Sequence, residues 1–409
     1  MYLSERRLFK WALYSNVIFI FLYFLFKPDG IGFEKLIISS FLFLSEIGIA
    51  YLCIRNLSLL SGISKNIRFL FVLIVLWGAF VVARSFTFSI QDWVTNFGNV
   101  YMAMAWMMPT MMILGLKIEN WKIVFRAIAF MFGLMILAFA LLPVFELNDE
   151  WIWLLRPINF VLLVGVYRYS PVNRLKIYAI IAVYIIISIL GERRAEFLYL
   201  ALTFGILFID KLSAIGLRKA LIQYIILVFV LVLIVIFTLG YESVSNLVSS
   251  LVEFQDSRTF LFKELMEDLS YKEKIIGKGS LGTYYSEFME HTKWYTEEVL
   301  KENWWGDSSI RITIEVGYLQ MILKGGFIMF ILNVIIFIYS SYLAIFNSNN
   351  KFTKGLGYFI LILTFMCLVE FRQNFTPTFF FLWMAIGTVA KKSYREMDDA
   401  QIEELIRIR

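Results

Sequence analysis

A succession of apolar runs, each about as long as a bilayer is thick, constrains this chain more than any other feature. A helix needs about 20 predominantly apolar residues to cross the hydrocarbon core, with a working range of about 17–25. Runs of this kind, some slightly shorter, fall near 10–26, 36–54, 69–87, 97–115, 123–143, 152–167, 177–191, 196–210, 220–239, 326–346, 356–372 and 377–391. They predict an all-α polytopic integral membrane protein with about twelve transmembrane helices, because a helix satisfies its own backbone inside lipid. The shortest pair, 177–191 and 196–210, meets in a tight charged turn. Composition agrees: 60% of the 409 residues are hydrophobic and only 17% are charged, where a soluble domain carries about 25%. The first run follows Arg6, Arg7 and Lys10 but lacks a small-residue cleavage pattern, so it reads as an uncleaved first helix.

Basic residues set the orientation. Alternate loops hold Arg6, Arg7 and Lys10, then Arg55, Lys65 and Arg68, then Lys117, Lys122 and Arg126, and so on to Lys391, Lys392 and Arg395. The positive-inside rule then predicts both termini in the cytoplasm. The net charge of +6 is spread over these short loops and is a matter of topology, not of nucleic acid. Four segments follow: helices over 1–239, a long outer loop over 240–325, helices over 326–391, and a solvated cytoplasmic tail over 392–409.

Cys53 and Cys367 each lie inside an apolar run and read as small buried hydrophobes. The single histidine, His291, has no Cys or His near it, so no metal cluster is legible. No phosphate-cradling glycine loop of the nucleotide-binding type is present, which argues against a nucleotide-driven pump.

The long loop carries the polar chemistry. Asp256 or Ser257 is placed to cap a helix reaching about Asp268, with Leu261, Phe262, Leu265, Met266 and Leu269 on one stripe. Gly277, Gly279 and Gly282 predict a turn. Gly325-Gly326 predicts a bend into the next span. Arginines also recur at the outer helix ends, where basic residues should be scarce: Arg84, Arg156, Arg193 with Arg194, Arg258, Arg311 and Arg372. Such charges tend to face a cavity or a partner. A guanidinium fork grips phosphate or carboxylate in two places. Pairing with headgroup phosphates or a nearby carboxylate is the plainer alternative for each.

Glu192, Glu196, Asp307, Glu315 and Glu370 fall at the same depth. A glycosyl transfer needs a base for the attacking hydroxyl, and a carboxylate whose pKa is raised near the membrane suits that role. Glu315 interrupts an apolar segment and is the preferred base; a salt bridge to Arg311 one turn earlier is its alternative. Tyr284, Tyr285, Trp294, Tyr295, Trp304 and Trp305 are suited to stack on sugar rings or to anchor the loop in the interface.

Four local patterns resemble the O-antigen polymerase and ligase superfamily, the Wzy-type proteins of bacterial surface polysaccharide assembly. They are Gly191-Glu192-Arg193-Arg194-Ala195-Glu196-Phe197 between two mid-chain helices, and Ser257-Arg258 opening the loop. The others are Ile275-Ile276-Gly277-Lys278-Gly279, and Glu315-Val316-Gly317-Tyr318-Leu319 with Gly325-Gly326-Phe327. Together they cover about residues 185–335; the first half of the chain matches in hydropathy alone. Glu315 stands where that family has His or Asp, and Val316 where it has Asn; the missing histidine leans toward a polymerase.

The resemblance implies a glycosyltransferase of GT-C-like architecture at the periplasmic face of the bacterial inner membrane. It would join lipid-linked repeat units into O-antigen or capsular polysaccharide. Donor and acceptor would be glycans on undecaprenyl pyrophosphate, no metal or other cofactor would be needed, and a chain-length regulator is an expected partner. On this reading Glu315, Arg194 and Arg258 are catalytic. Arg193, Arg311, Arg372, Lys278, Arg84 and Arg156 bind pyrophosphate or glycan. A ligase acting on a lipid A core and a lipid-linked oligosaccharide flippase are the competing functions.

Overall fold

The computed structural model describes residues 4–26, 33–140, 151–170, 174–191, 193–215, 257–299, 301 and 309–408. Within them the chain is almost wholly helical. The one sheet is an antiparallel pairing of Tyr284–Tyr285 with Ile310–Arg311. Six described helices are long and apolar enough to cross a membrane: Glu5–Phe26, Lys35–Arg55, Lys65–Ala83, Ile118–Phe139, Gly317–Phe346 and Lys351–Val369. Shorter apolar helices occupy Ala103–Gly115, Ile152–Val164, Leu175–Leu190 and Pro377–Ala390. The chain is thus an all-α, multi-pass membrane protein. The run expected at 220–239 lies outside the described residues.

The central element is the helix Pro377–Ala390, buried along its whole length. A helix that is apolar all round belongs inside a bundle, not at its edge. Near its end the Thr388 hydroxyl accepts from the Trp121 indole at 2.9 Å and donates to the Gly115 carbonyl at 2.7 Å. Around it the longer helices turn one apolar face inward and another outward. On Gly317–Phe346 the exposed residues are Phe327, Ile331, Ile335, Ile338, Tyr342 and Phe346, a stripe at helical spacing that suits contact with lipid tails.

Several expected boundaries move, each for a local reason. The run at 97–115 becomes helical only from Ala103 and tightens into a 3₁₀ turn at Met108–Met111, where Pro109 has no N–H to give. The helix expected at 152–167 ends at Val164 because Gly165 adopts φ 70°, ψ 43°. The long loop ends at residue 316 and not at 325, since the next helix already starts at Gly317. The run at 356–372 stops at Val369, and residues 370–376 cross the protein without helix.

The C-terminal segment corrects the expectation of a solvated tail. Ile402 and Ile406 are fully buried in the main core. The Arg395 guanidinium donates to the carbonyls of Val389 at 2.9 Å and Asn347 at 3.2 Å. The Ile408 N–H reaches the Tyr169 carbonyl at 2.8 Å. Ile402→Ala is therefore expected to destabilise the purified protein by about 2–5 kcal/mol, as a large-to-small core change does. A shift in thermal unfolding reads it; an unchanged midpoint would mean the tail is not part of the core.

Candidate functional site

The long polar loop is fastened to a broken helix. Gly326 sits at φ 69°, ψ −176° inside Gly317–Phe346 and interrupts it. A break strands the last carbonyls of the first half, which is costly where water is scarce. The loop supplies the missing donors. The N–H groups of Lys278 and Gly279 reach the Leu323 and Lys324 carbonyls at 2.7 and 2.9 Å. The Trp77 indole reaches the Gly325 carbonyl at 2.8 Å. Glycine is required on both sides of this contact. Gly277 has φ +71°, and a Cβ there would lie 2.3 Å from the Lys324 carbonyl; a Cβ on Gly326 would lie 2.0 Å from the Ile275 oxygen.

Two of the expected substrate contacts are engaged in this fastening. Arg84 donates to the carbonyls of Ile276 and Gly277 at 2.9 and 2.5 Å, capping the short helix Tyr271–Ile276. Lys278 pairs with Asp268 at 2.5 Å. A third basic residue, which sequence reasoning passed over, completes the clamp. Lys324 is fully buried, and its Nζ donates to the Ser280 and Gly282 carbonyls, both at 2.8 Å. The signal was present: a lysine in an apolar run immediately before Gly325-Gly326. Ser280 in turn donates to Asn96 at 2.7 Å, tying in the small helix Ile90–Phe97.

Beneath the loop, four of the expected residues come together around the non-helical segment 370–376. Its start is pressed against the broken helix: a Cβ on Gly317 would lie 2.1 Å from the Phe371 oxygen. On one side of the segment stands Arg311, 7% exposed, forked onto the 46% exposed Glu315. Its two N–H groups take both carboxylate oxygens, one of them at 3.2 Å. On the other side Arg156 pairs with Glu196 at 2.5 Å, and Glu196 also accepts from the Tyr184 hydroxyl at 2.5 Å. The Arg156 guanidinium rests on the Phe371 ring at 4.1 Å.

The residue after Phe371 in this segment is Arg372. It stacks on the Tyr101 ring at 3.8 Å, and the ring of Tyr101 meets Trp153 edge-on at 5.6 Å. Arg372 is half-buried and, among the described residues, has neither a hydrogen bond nor an ion pair. Its field still reaches Glu315. Partial burial would raise the Glu315 pKa, but the hydrogen bonds and charge of Arg311, with the charge of Arg372, outweigh it. The carboxyl is held below its ordinary range, which corrects the expectation of a raised pKa. The salt bridge to Arg311 named as the alternative is formed.

The loop aromatics divide. Tyr284 is buried with Leu261, Leu265, Leu269, Ile314 and Val316 in the small core under the loop. Burial pushes its hydroxyl up to about 12, against the pull of Arg311. Tyr285, Trp294 and Tyr295 are exposed. Arg194 begins the helix Arg194–Ile215, is exposed, and has no partner among the described residues. The Arg193 backbone closes the preceding turn, its N–H on the Ser188 carbonyl at 2.8 Å. Arg258 lies in the first turn of Ser257–Asp268, but its side chain is outside the described residues, as are Glu192, Trp304, Trp305 and Asp307.

Around segment 370–376 the arrangement offers a half-exposed carboxylate, the guanidinium of Arg372 without an acidic partner among the described residues, and two neutralised pairs that fix the walls. Among the described residues no three His, Cys, Asp or Glu side chains gather as metal ligands. No protein-family model matches the chain, and no curated protein matches it in sequence.

Proposed function

We propose that this protein is a metal-independent glycosyltransferase that polymerises undecaprenyl-pyrophosphate-linked repeat units into O-antigen or capsular polysaccharide at the periplasmic face of the inner membrane. The observation that carries the reading is Arg372: a half-buried guanidinium, stacked on Tyr101, without an acidic partner among the described residues, within electrostatic reach of Glu315. A protein that only needed charge neutrality there would pair that cation, as it pairs Arg156 and Arg311.

In the reaction, a hydroxyl of the acceptor glycan attacks the anomeric carbon of the donor. The bond from that carbon to the pyrophosphate oxygen breaks, and the lipid diphosphate leaves. Glu315, kept deprotonated by Arg311, takes the hydroxyl proton. Arg372, with Arg194 and Arg258, offsets the charge growing on the diphosphate. With one base and no covalent intermediate, the displacement inverts the anomeric centre. A chain-length regulator would act on this site from outside the chain.

A deletion strain distinguishes this reading from its competitors. Loss of a polymerase leaves surface lipid carrying a single repeat unit. Loss of a flippase or of a ligase leaves none, and that result would overturn the proposal. Complementation with Arg194→Ala or Arg258→Ala is expected to abolish the glycan ladder at normal protein level. Full ladders from both would remove these two residues from the mechanism.

A further inference from the structure

The membrane helix Lys65–Ala83 hands its outward apolar face on to the segment that follows. On the helix, Phe69, Val72, Leu76 and Phe80 are exposed at helical spacing, as a face turned to lipid tails requires. The exposure does not stop where the helix stops. Phe88 is 98% exposed and Ile90 82%, with Phe86, Trp93 and Val94 exposed beside them. These rings are held, not loose. Phe86 meets Phe88 edge-on at 5.7 Å and Trp93 edge-on at 5.2 Å, and Trp93 stacks on Phe97 at 5.6 Å. Thr87 ties the turn beneath them: its hydroxyl donates to Asp92 at 2.7 Å, and its carbonyl accepts from the Trp93 indole at 2.8 Å.

The small helix Ile90–Phe97 is two-sided. Ile90, Trp93, Val94 and Phe97 recur at i, i+3, i+4 and i+7 and share one stripe, while Gln91, Asp92, Thr95 and Asn96 share the other. On the polar side Asn96 is buried and accepts from the Ser280 hydroxyl at 2.7 Å, whereas Gln91 and Thr95 are exposed. On the apolar side Trp93, Val94 and Phe97 face Phe43 and Ile47 across an open apolar groove. Phe43 and Ile47 stand near the middle of the membrane helix Phe33–Arg55. The small helix therefore lies beside the body of a membrane span, not above its end.

We propose that residues 86–94 form a bilayer anchor, with Phe88, Ile90 and Val94 seated among phospholipid chains and Gln91 turned to water. An exposed apolar patch of this kind needs a cover. Its continuity with the lipid-facing stripe of Lys65–Ala83 selects phospholipid over a second protein. A short two-sided helix with aromatic rings on the apolar side is the form an interfacial anchor takes. Through Asn96 and Ser280 the anchor reaches the loop that clamps the broken helix, so the bilayer itself helps to hold that loop in place. The inference does not depend on the glycosyltransferase reading.

The test attaches a nitrobenzoxadiazole fluorophore to Phe88→Cys, Ile90→Cys and Gln91→Cys, one at a time, in the full-length protein. Both native cysteines, Cys53 and Cys367, are buried, so the unsubstituted protein supplies the blank. Phe88 and Ile90 are so exposed that neither change opens the core, and each site checks the other. The labelled proteins are placed in phosphatidylcholine nanodiscs, with plain or brominated acyl chains, and iodide is added to the buffer. Labels at 88 and 90 are expected to lose most of their emission to brominated lipid and little to iodide. The label at 91, one residue away on the polar side, is expected to do the reverse. The proposal is overturned if iodide but not brominated lipid quenches at 88 and 90, as a surface in water gives. It is overturned too if neither quencher reaches them, as a covering protein or second copy gives, or if brominated lipid quenches equally at 91.

Discussion

Arg372→Ala is expected to cut polymer formation by about two to three orders of magnitude, the range seen when one preorganised stabiliser of developing charge is removed. It is expected to leave the fold nearly unchanged. The side chain has no ion pair or hydrogen bond to lose among the described residues; it loses only its contact with the Tyr101 ring at 3.8 Å. A contact of that kind is worth about 1–2 kcal/mol when partly desolvated. Large loss of function with small loss of stability separates a residue that meets the substrate from one that braces the protein. Arg372→Lys sharpens the test. It keeps the charge but loses the planar fork, so a partial defect is expected where two phosphate oxygens are gripped at once. Ladder intensity in a complemented deletion strain and thermal unfolding of the purified variants are the two measurements. Wild-type ladders from Arg372→Ala would remove the central residue of the proposed site.

The sequence made some of this legible and hid the rest for physical reasons. Run length and hydropathy located most of the helices, and Gly325-Gly326 announced the bend at Gly326. The stripe Leu261, Leu265, Leu269 named the residues that now pack beneath the loop. Phe262, counted on the same stripe, is instead 41% exposed.

Hydropathy could not see that helix stops at Val369, because Phe371 and Phe375 continue the apolar pattern while the backbone leaves the helix. That segment carries Arg372. The role of Arg84 was hidden more deeply. Its partners are the carbonyls of Ile276 and Gly277, and backbone oxygens leave no mark in a sequence. The partner of Arg156 was visible as a residue but not as a partner, since Glu196 lies forty positions away.

Breaking that last pair is expected to give the largest stability effect in the molecule. Arg156 and Glu196 are 12% and 1% exposed, so either left alone becomes an uncompensated buried charge. Single changes, Arg156→Met or Glu196→Gln, are expected to cost about 3–5 kcal/mol each. The double variant is expected to recover most of that loss, because a buried pair replaced by groups of similar volume is often neutral. The Tyr184 hydroxyl, now 2.5 Å from Glu196, keeps an acceptor in the glutamine.

Function gives the second half of the cycle. Arg156 supports the Phe371 ring, and Phe371 precedes Arg372 in the non-helical segment. If Arg156 acts only by positioning, the double variant regains polymer along with its fold. A double variant that folds but makes no polymer would instead place Arg156 in contact with the diphosphate, alongside Arg372. Strictly additive single and double effects would mean that the pair is not coupled at all, and that the wall beside Arg372 is held by packing alone.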